Sequence, residues 1–410
     1  MKMKTTAMML AALLLTATAL AGNGAKAAAA TIQSEELFTN RDLAQTADLS
    51  EAETVTLTDG GTVSITEAGT WVVQGTANNA TIVVDAGDDD KVQLVLDSVS
   101  ISNADTPCIY VKNADKTFVT TTATENSLSV TGSFTADGST NTDAVIFSKD
   151  DLVLNGLGTL SIESSDNGIA CKNDLKITGG SYLIHCDSTA LEAKDSISVA
   201  DGTLQIRAGN DGLHADDDED DSTGSVYIGG GSLSISVGDD AVHATTLVQV
   251  DGGVLNIEQC REGIEGTAVR INGGEISINA SDDGINAAWK SSAYSAVAEF
   301  NGGYVRISMA QGDTDAVDSN GDVIVNAGTL DITAQSPFDY DGRAEYNGGT
   351  IIVNGQTVNS ITNQMMGGMP GSFGGMMNGQ MNGQMNGQTG GPGGFGGPGG
   401  FGGGPGGARR

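Results

Sequence analysis

Positive charge is scarce in this chain: 19 Lys and Arg face 52 Asp and Glu, for a formal net charge of −33. That balance excludes binding to nucleic acid or to an anionic membrane by charge alone, and it favours divalent cations. Aromatic residues make up only 4%, and good helix-forming runs are scarce beyond residue 50, so an all-β chain is expected. The four cysteines, Cys108, Cys171, Cys186 and Cys260, lack metal-ligand spacing. They read either as small buried residues or, in an exported protein, as disulfide partners such as Cys171 with Cys186. Beyond the N-terminus no apolar stretch is long enough to span a bilayer. No nucleophile motif, HExxH or phosphate-cradling glycine loop occurs in a supporting context.

What the chain does have is a repeat of roughly 21 to 24 residues through its second half. It is plainest in 167-NGIACKNDLKITGGSYLIHCDS-188, 240-DAVHATTLVQVDGGVLNIEQCR-261 and 262-EGIEGTAVRINGGEISINASD-282. Each unit opens with a polar or acidic residue, a small residue and an aliphatic one. Two alternating strands separated by a turn, often Gly-Gly, follow. One such unit cannot bury its apolar face until a neighbour stacks on it. Two strands plus a short stretch at the acidic corner suit one triangular coil of a parallel β-helix.

Residues 1–27 read as an export signal, with Lys2 and Lys4 ahead of the apolar run 7–21. The expected location is therefore outside the cell or on its surface. Residues 28–50 read as an N-terminal cap, in which Ser34 caps a short helix and Leu37, Phe38 and Leu43 plug the open end of the solenoid. Residues 51–360 are the coils, on the order of 14, which at about 4.8 Å each give a rod near 65 Å. Residues 361–410, rich in Met, Gly, Gln and Pro, read as a disordered tail, with soft-metal binding or wall attachment as its functional alternatives.

Aligning the units on Ile169, Leu191, Leu213, Val242, Ile264, Ile285 and Val317 produces vertical columns. Two positions earlier stand Asn167, Thr189, Asp211, Asp240, Glu262, Asp283 and Asp315; one earlier still come Asp166, Asn210, Asp239, Arg261 and Asp282. One position after the aliphatic residue stand Ala170, Glu192, His214, His243, Glu265, Asn286 and Asp318. Two carboxylates about 4.8 Å apart repel by about 0.9 kcal/mol in water and about 3.5 at an effective dielectric of 20. A cation between them relieves this, and Ca²⁺ takes hard oxygens in flexible geometry. The candidate metal ligands are Asp211, Asp239, Asp240, Glu262, Asp282, Asp283, Asp216 and Asp218. The alternative is that Asp and Asn occupy these turns for their backbone tolerance. Two coils carry insertions at the same place, 214–224 and 287–300, three coils or about 14 Å apart. Trp289, Lys290 and Tyr294 of the second, with His214 and His243, are candidate carbohydrate contacts; Trp289 reads equally as a cover for exposed strand edges, and two surface histidines on a repeat are more often ordinary than ligands.

The segments 68-AGTWVVQGT-76, 81-TIVVDAGDDDKVQLVLDSVSI-101, 109-IYVKNADK-116, 144-AVIFSKDDLVLNG-156, 173-NDLKITGG-180 and 211-DGLHADDDEDDSTGSVYIGGG-231 resemble the carbohydrate-binding β-helix family of exported clostridial and other bacterial proteins. The resemblance covers about residues 51–350. It implies a right-handed parallel β-helix, bound Ca²⁺ and binding of pectic (polygalacturonate-like) or other plant-wall polysaccharide without proven catalysis; the chain is separately expected to be a monomer. Arg261 and Glu262 depart from the Asp or Asn of neighbouring coils and interrupt a continuous metal file. A calcium-dependent lyase is the alternative function, with Lys172, Lys194, Arg261 and Lys290 as candidate bases. A structural surface fibre is a third.

Overall fold

A computed structural model describes residues 31–363 apart from Asp218 and Asp313. The export signal, the tail beyond residue 363 and the candidate ligand Asp218 lie outside the described residues. Within them the chain forms 36 strands and one four-residue helix, Ser34–Leu37. No helix there is long and apolar enough to cross a membrane.

Three strands, rather than two, make each coil from Ile109 onward. In the coil around residue 170 they are Asn167–Cys171, Asp174–Ile177 and Ser181–Cys186. The short stretch at the acidic corner is itself a strand, cut to three residues in Leu213–Ala215 and Val242–Ala244. Stacked coils thus build three parallel faces. Face 1 is a sheet of 12 strands containing Asn167–Cys171 and its counterparts. Face 2 (Asp174–Ile177) and face 3 (Ser181–Cys186) belong to one sheet of 24 strands. They join because Lys91–Asn103 turns the corner unbroken and pairs with both Lys116–Thr121 and Glu125–Val130. Twelve strands on face 1 give about 53 Å of rod at about 4.8 Å per interval, fewer coils than the repeat length suggests. Early coils are longer: Ile109 registers with Ile146, whereas Ile169 registers with Leu191.

The aliphatic alignment holds residue by residue. Ile169, Leu191, Leu213, Val242, Ile264, Ile285 and Val317 pair in succession, and all are fully buried. Each inward column thereby stacks like on like. All four cysteines are free and buried, with burial holding the thiols of Cys108, Cys186 and Cys260 up to about 12. The C-terminal edge is closed by a hairpin, in which Gln356–Val358 pairs antiparallel with Thr350–Val353 across Asn354-Gly355. Both turn residues have positive φ, the backbone that a two-residue hairpin demands and Asn-Gly supplies.

The N-terminal segment departs from expectation in place and form. Ser34 does not cap its helix; Gln33 stands there, with no side-chain cap. The segment is a strap laid lengthwise along the outside of face 2, not a plug at the end. Gln249 clamps Ile32, accepting its N–H at 2.9 Å and donating to its carbonyl at 2.9 Å. Lys176 donates to the Leu37 carbonyl at 2.6 Å, and Thr178 and Asn155 donate to that of Asp42. Beneath the strap, Phe118, Val153, Ser198, Tyr227 and Gln249 point outward from face 2 yet are buried. Phe38 packs 6.3 Å from Tyr227, and the Arg41 guanidinium lies 4.4 Å over Phe118. The physical reason is the large apolar surface in this outward column, which favours a cover over exposure to water.

Candidate functional site

The chemistry gathers on the outer side of face 1. Register places Tyr110, Phe147, Ala170, Glu192, His214, His243, Glu265, Asn286, Asp318 and Asp339 in one outward column. Beside it runs the column of acids and amides that begins each coil. These side chains have a structural task. Asn167 Oδ1 accepts the N–H of Thr189 at 3.0 Å, Asp211 Oδ1 that of Asp240 at 2.9 Å, and Asp283 Oδ1 that of Asp315 at 3.3 Å. Each therefore satisfies a backbone donor of the next coil.

The second oxygens face the histidines. Asp211 Oδ2 lies 2.7 Å from His214 Nδ1, and Asp240 Oδ2 lies 2.8 Å from His243 Nδ1. The two imidazoles stack at 4.4 Å, tilted by 11°. His243 Nδ1 is also 3.0 Å from Glu265 Oε2, which Lys290 Nζ approaches to 2.8 Å. Burial by itself would lower the His243 pKa; the bonds to Asp240 and Glu265 outweigh it and hold the imidazolium up to about 9. Burial likewise opposes ionisation of Glu265, and His243 with Lys290 reverses that, down to about 2. The Asp240–His243–Glu265 group, whose ligand atoms cluster within 4.8 Å, is thus closed by a proton on His243.

Arg261 occupies the next gap. Its guanidinium reaches Asp239 and Asp282 at 2.9 Å each and Glu262 at 3.2 Å. The cations of this stretch of ladder are built in: His243, Arg261 and Lys290. Further along, acids meet acids. Burial, then Asp318 and Glu262, pushes Asp283 up to about 8; burial, then Asp339 and Asp315, pushes Asp318 up to about 6. Glu262 is pushed up to about 7 by burial, against the amide of Asn286 at 2.9 Å.

Asp211, Asp239 and Asp240 form the one other group of candidate metal ligands among the described residues, with oxygens within 4.8 Å of one another. Asp240 is buried, and its Oδ1 has no hydrogen-bond partner. Asp216 lies apart and accepts from the Thr245 hydroxyl. The two insertions meet directly, the Ser292 N–H donating to Asp221 Oδ2 at 2.7 Å. Trp289 is 55% exposed, its indole N–H donating to the Asn320 carbonyl at 2.9 Å. Tyr294 turns the other way and packs against the cluster of Tyr227, Leu247 and the strap residues Ile32, Leu37 and Phe38.

One feature was not singled out as a unit by sequence reasoning. Lys149, Lys172 and Lys194 directly follow the registered residues Ser148, Cys171 and Ala193, so three lysines stack on successive coils. The same alignment read three positions past each aliphatic residue would have found them.

A family model described as carbohydrate-binding domain-containing protein matches residues 59–316. The chain belongs to this family. The match spans the coils from the first strand of face 1, Thr62–Ile65, into the Asp315–Ser319 strand. A carbohydrate-binding domain-containing protein of Acetivibrio thermocellus is 34% identical over 120 residues, 28% of this chain and 41% of the relative; the chain thus spans less than half of that protein's length. A solved structure, the gadolinium derivative of the polysaccharide lyase-like protein from C. thermocellum, is 25% identical with a TM-score of 0.45, covering 64% of this chain and 98% of that one. The histidine and acid ladder of face 1, up to Asp315, falls inside the matched carbohydrate-binding domain.

Proposed function

We propose that this protein is an exported, non-catalytic binder of acidic plant-wall polysaccharide of the pectic type, and that Ca²⁺ takes part in the binding. Family membership supports the carbohydrate; the observation that carries the calcium reading is Asp240 Oδ1, a buried carboxylate oxygen without a partner beside Asp211 and Asp239. Carboxylate oxygens are the donors Ca²⁺ prefers, so the donor set fits. Asp211, Asp239 and Asp240 would hold the ion. When bound, it would neutralise the corner and offer remaining coordination to ligand carboxylates. Arg261 already reaches Asp239 and His243 already reaches Asp240 Oδ2, which leaves Asp240 Oδ1 as the oxygen without a partner and favours a local site over a continuous file.

The state of the candidate bases supports binding without cleavage. Lys172 pairs with Glu192 at 2.8 Å, Lys194 with Asp217 at 2.9 Å, Arg261 with Asp239 at 2.9 Å and Lys290 with Glu265 at 2.8 Å. For Arg261 and Lys290 the carboxylate partners raise the pKa and stabilise the protonated form, the opposite of what proton abstraction from a uronate needs. The test incubates the protein with polygalacturonate and Ca²⁺. The expected outcome is retention on the polymer, weakened by EDTA, with no rise in the ultraviolet absorbance of unsaturated products. Steady release of such products overturns the non-catalytic reading.

A further inference from the structure

The lysine column opens a site that the acid ladder does not. We propose that the pocket bounded by Lys149, Lys172 and Lys194 is an anion subsite that receives the carboxylate of a uronic acid residue. This rests on the acidic-polysaccharide reading above and says where on the rod such a polymer is held.

Electrostatics sets the need. A chain of net charge −33 repels a polyanion, and salt screens that field beyond about 8 Å. An acidic glycan must therefore be received by local positive charge at contact range. Lys149, Lys172 and Lys194 line one pocket of about 490 Å³ with Asn141, Asp143 and Phe147, within the size range of small-molecule sites. Three ammonium groups on successive coils repel each other unless anions lie between them. Lys172 and Lys194 are answered by Glu192 and Asp217. Lys149 is different: it stands 6.0 Å from the centre of the Tyr110 ring, and no carboxylate of the described residues lies in ion-pair range of it.

The opposite wall offers the complementary chemistry. Asp143 Oδ2 is held by the Asn141 amide at 2.5 Å, while Oδ1 is a buried atom with no hydrogen-bond partner. A uronic acid presents a carboxylate and hydroxyls on one ring; the first suits Lys149, and a hydroxyl donor suits Asp143 Oδ1. The wall is preformed. Asp137 ties the loop that carries it to Lys112 at 2.7 Å and to the Tyr110 hydroxyl at 3.2 Å, and exchanges backbone bonds with Thr140. Along the same face, His214 follows Lys194 by one coil, so a chain seated here runs on toward the calcium corner.

The experiment uses the full chain with Ca²⁺ present and titrates it calorimetrically with oligogalacturonate, and separately with the fully methyl-esterified oligomer. Lys149→Gln should weaken oligogalacturonate about tenfold, the loss of one charge-assisted contact, and leave the esterified oligomer unchanged. Lys149→Arg should retain binding of both. Because Lys149 holds no carboxylate of the fold, the Gln variant should melt with the wild type, and its thermal transition is the folding control. Equal loss for both oligomers, or no loss for either, overturns the subsite while the polysaccharide reading stands. A wild type that binds neither oligomer removes the broader reading, and the subsite with it.

Discussion

Asp283 offers the sharpest test of how this solenoid manages its stacked acids. Burial, with Asp318 and Glu262 close by, pushes its carboxyl from 3.8 to about 8. Asp283→Asn keeps the acceptor that holds the Asp315 N–H, and the column already contains its own precedent, since Asn167 does the same for Thr189. The change therefore removes charge without removing the clamp. The rise from 3.8 to about 8 corresponds to an upper limit of between about 5 and 6 kcal/mol at 1.36 kcal/mol per pKa unit. The group is only partly buried, and solvent screening brings this to about 2–3 kcal/mol. The sign follows from a folded pKa above the unfolded one: wild-type stability is complete below about pH 4 and is lost as pH rises through about 8. The Asn variant lacks this one loss, while the losses from Glu262 and Asp318 remain in both proteins. In EDTA, with denaturant unfolding followed by circular dichroism, the two proteins should match at pH 4, and at pH 8.5 the variant should be more stable by about 2–3 kcal/mol. A difference of the same size at both pH values, or a wild type that is the more stable at pH 8.5, refutes the reasoning.

Other outcomes follow from the same geometry. Ca²⁺ at a hundredfold excess over its Kd should stabilise the rod by about 2.7 kcal/mol, and Asp240→Asn should abolish that gain; a melting curve indifferent to EDTA sinks the site. The His243 imidazole should titrate near 9 by NMR, so the stability it contributes is present below its ordinary 6.5 and lost as pH rises through about 9. Glu265→Gln should bring that midpoint down, and an unmoved midpoint means that Glu265 does not hold the proton there. Gln249→Ala removes both bonds to Ile32 and should release the strap at a cost of about 1–3 kcal/mol, read as faster amide exchange over residues 31–45; unchanged exchange would mean the strap is held elsewhere.

Much of this was legible in the chain. The register from Ile169 to Val317 could be read directly, because strand periodicity and a fixed repeat leave one alignment that buries this whole aliphatic column. The acid and histidine columns followed from that alignment without further information. The third strand of each coil was not legible, since three residues such as Leu213–Ala215 are too few for alternation to declare itself. Nor was the strap. The segment 31–49 carries apolar residues that fit a plug or a cover equally, and only the buried outward column of Phe118 and Tyr227 distinguishes them.

The sequence by itself determined which residues share a column, since a repeat transmits its spacing into stacking and stacking is a one-dimensional property. Tertiary structure alone decided which charges answer which. That Arg261 spans Asp239 and Asp282, that His243 bridges Asp240 and Glu265, and that Lys290 returns from an insertion to Glu265 depend on side-chain reach across coils. So does the meeting of the two insertions at Asp221 and Ser292. Column membership places carboxylates about 4.8 Å apart and thereby creates the repulsion. Whether a proton, a guanidinium, an ammonium or a metal ion relieves it at each level is set by burial and by distances of about 3 Å, which spacing along the chain does not encode.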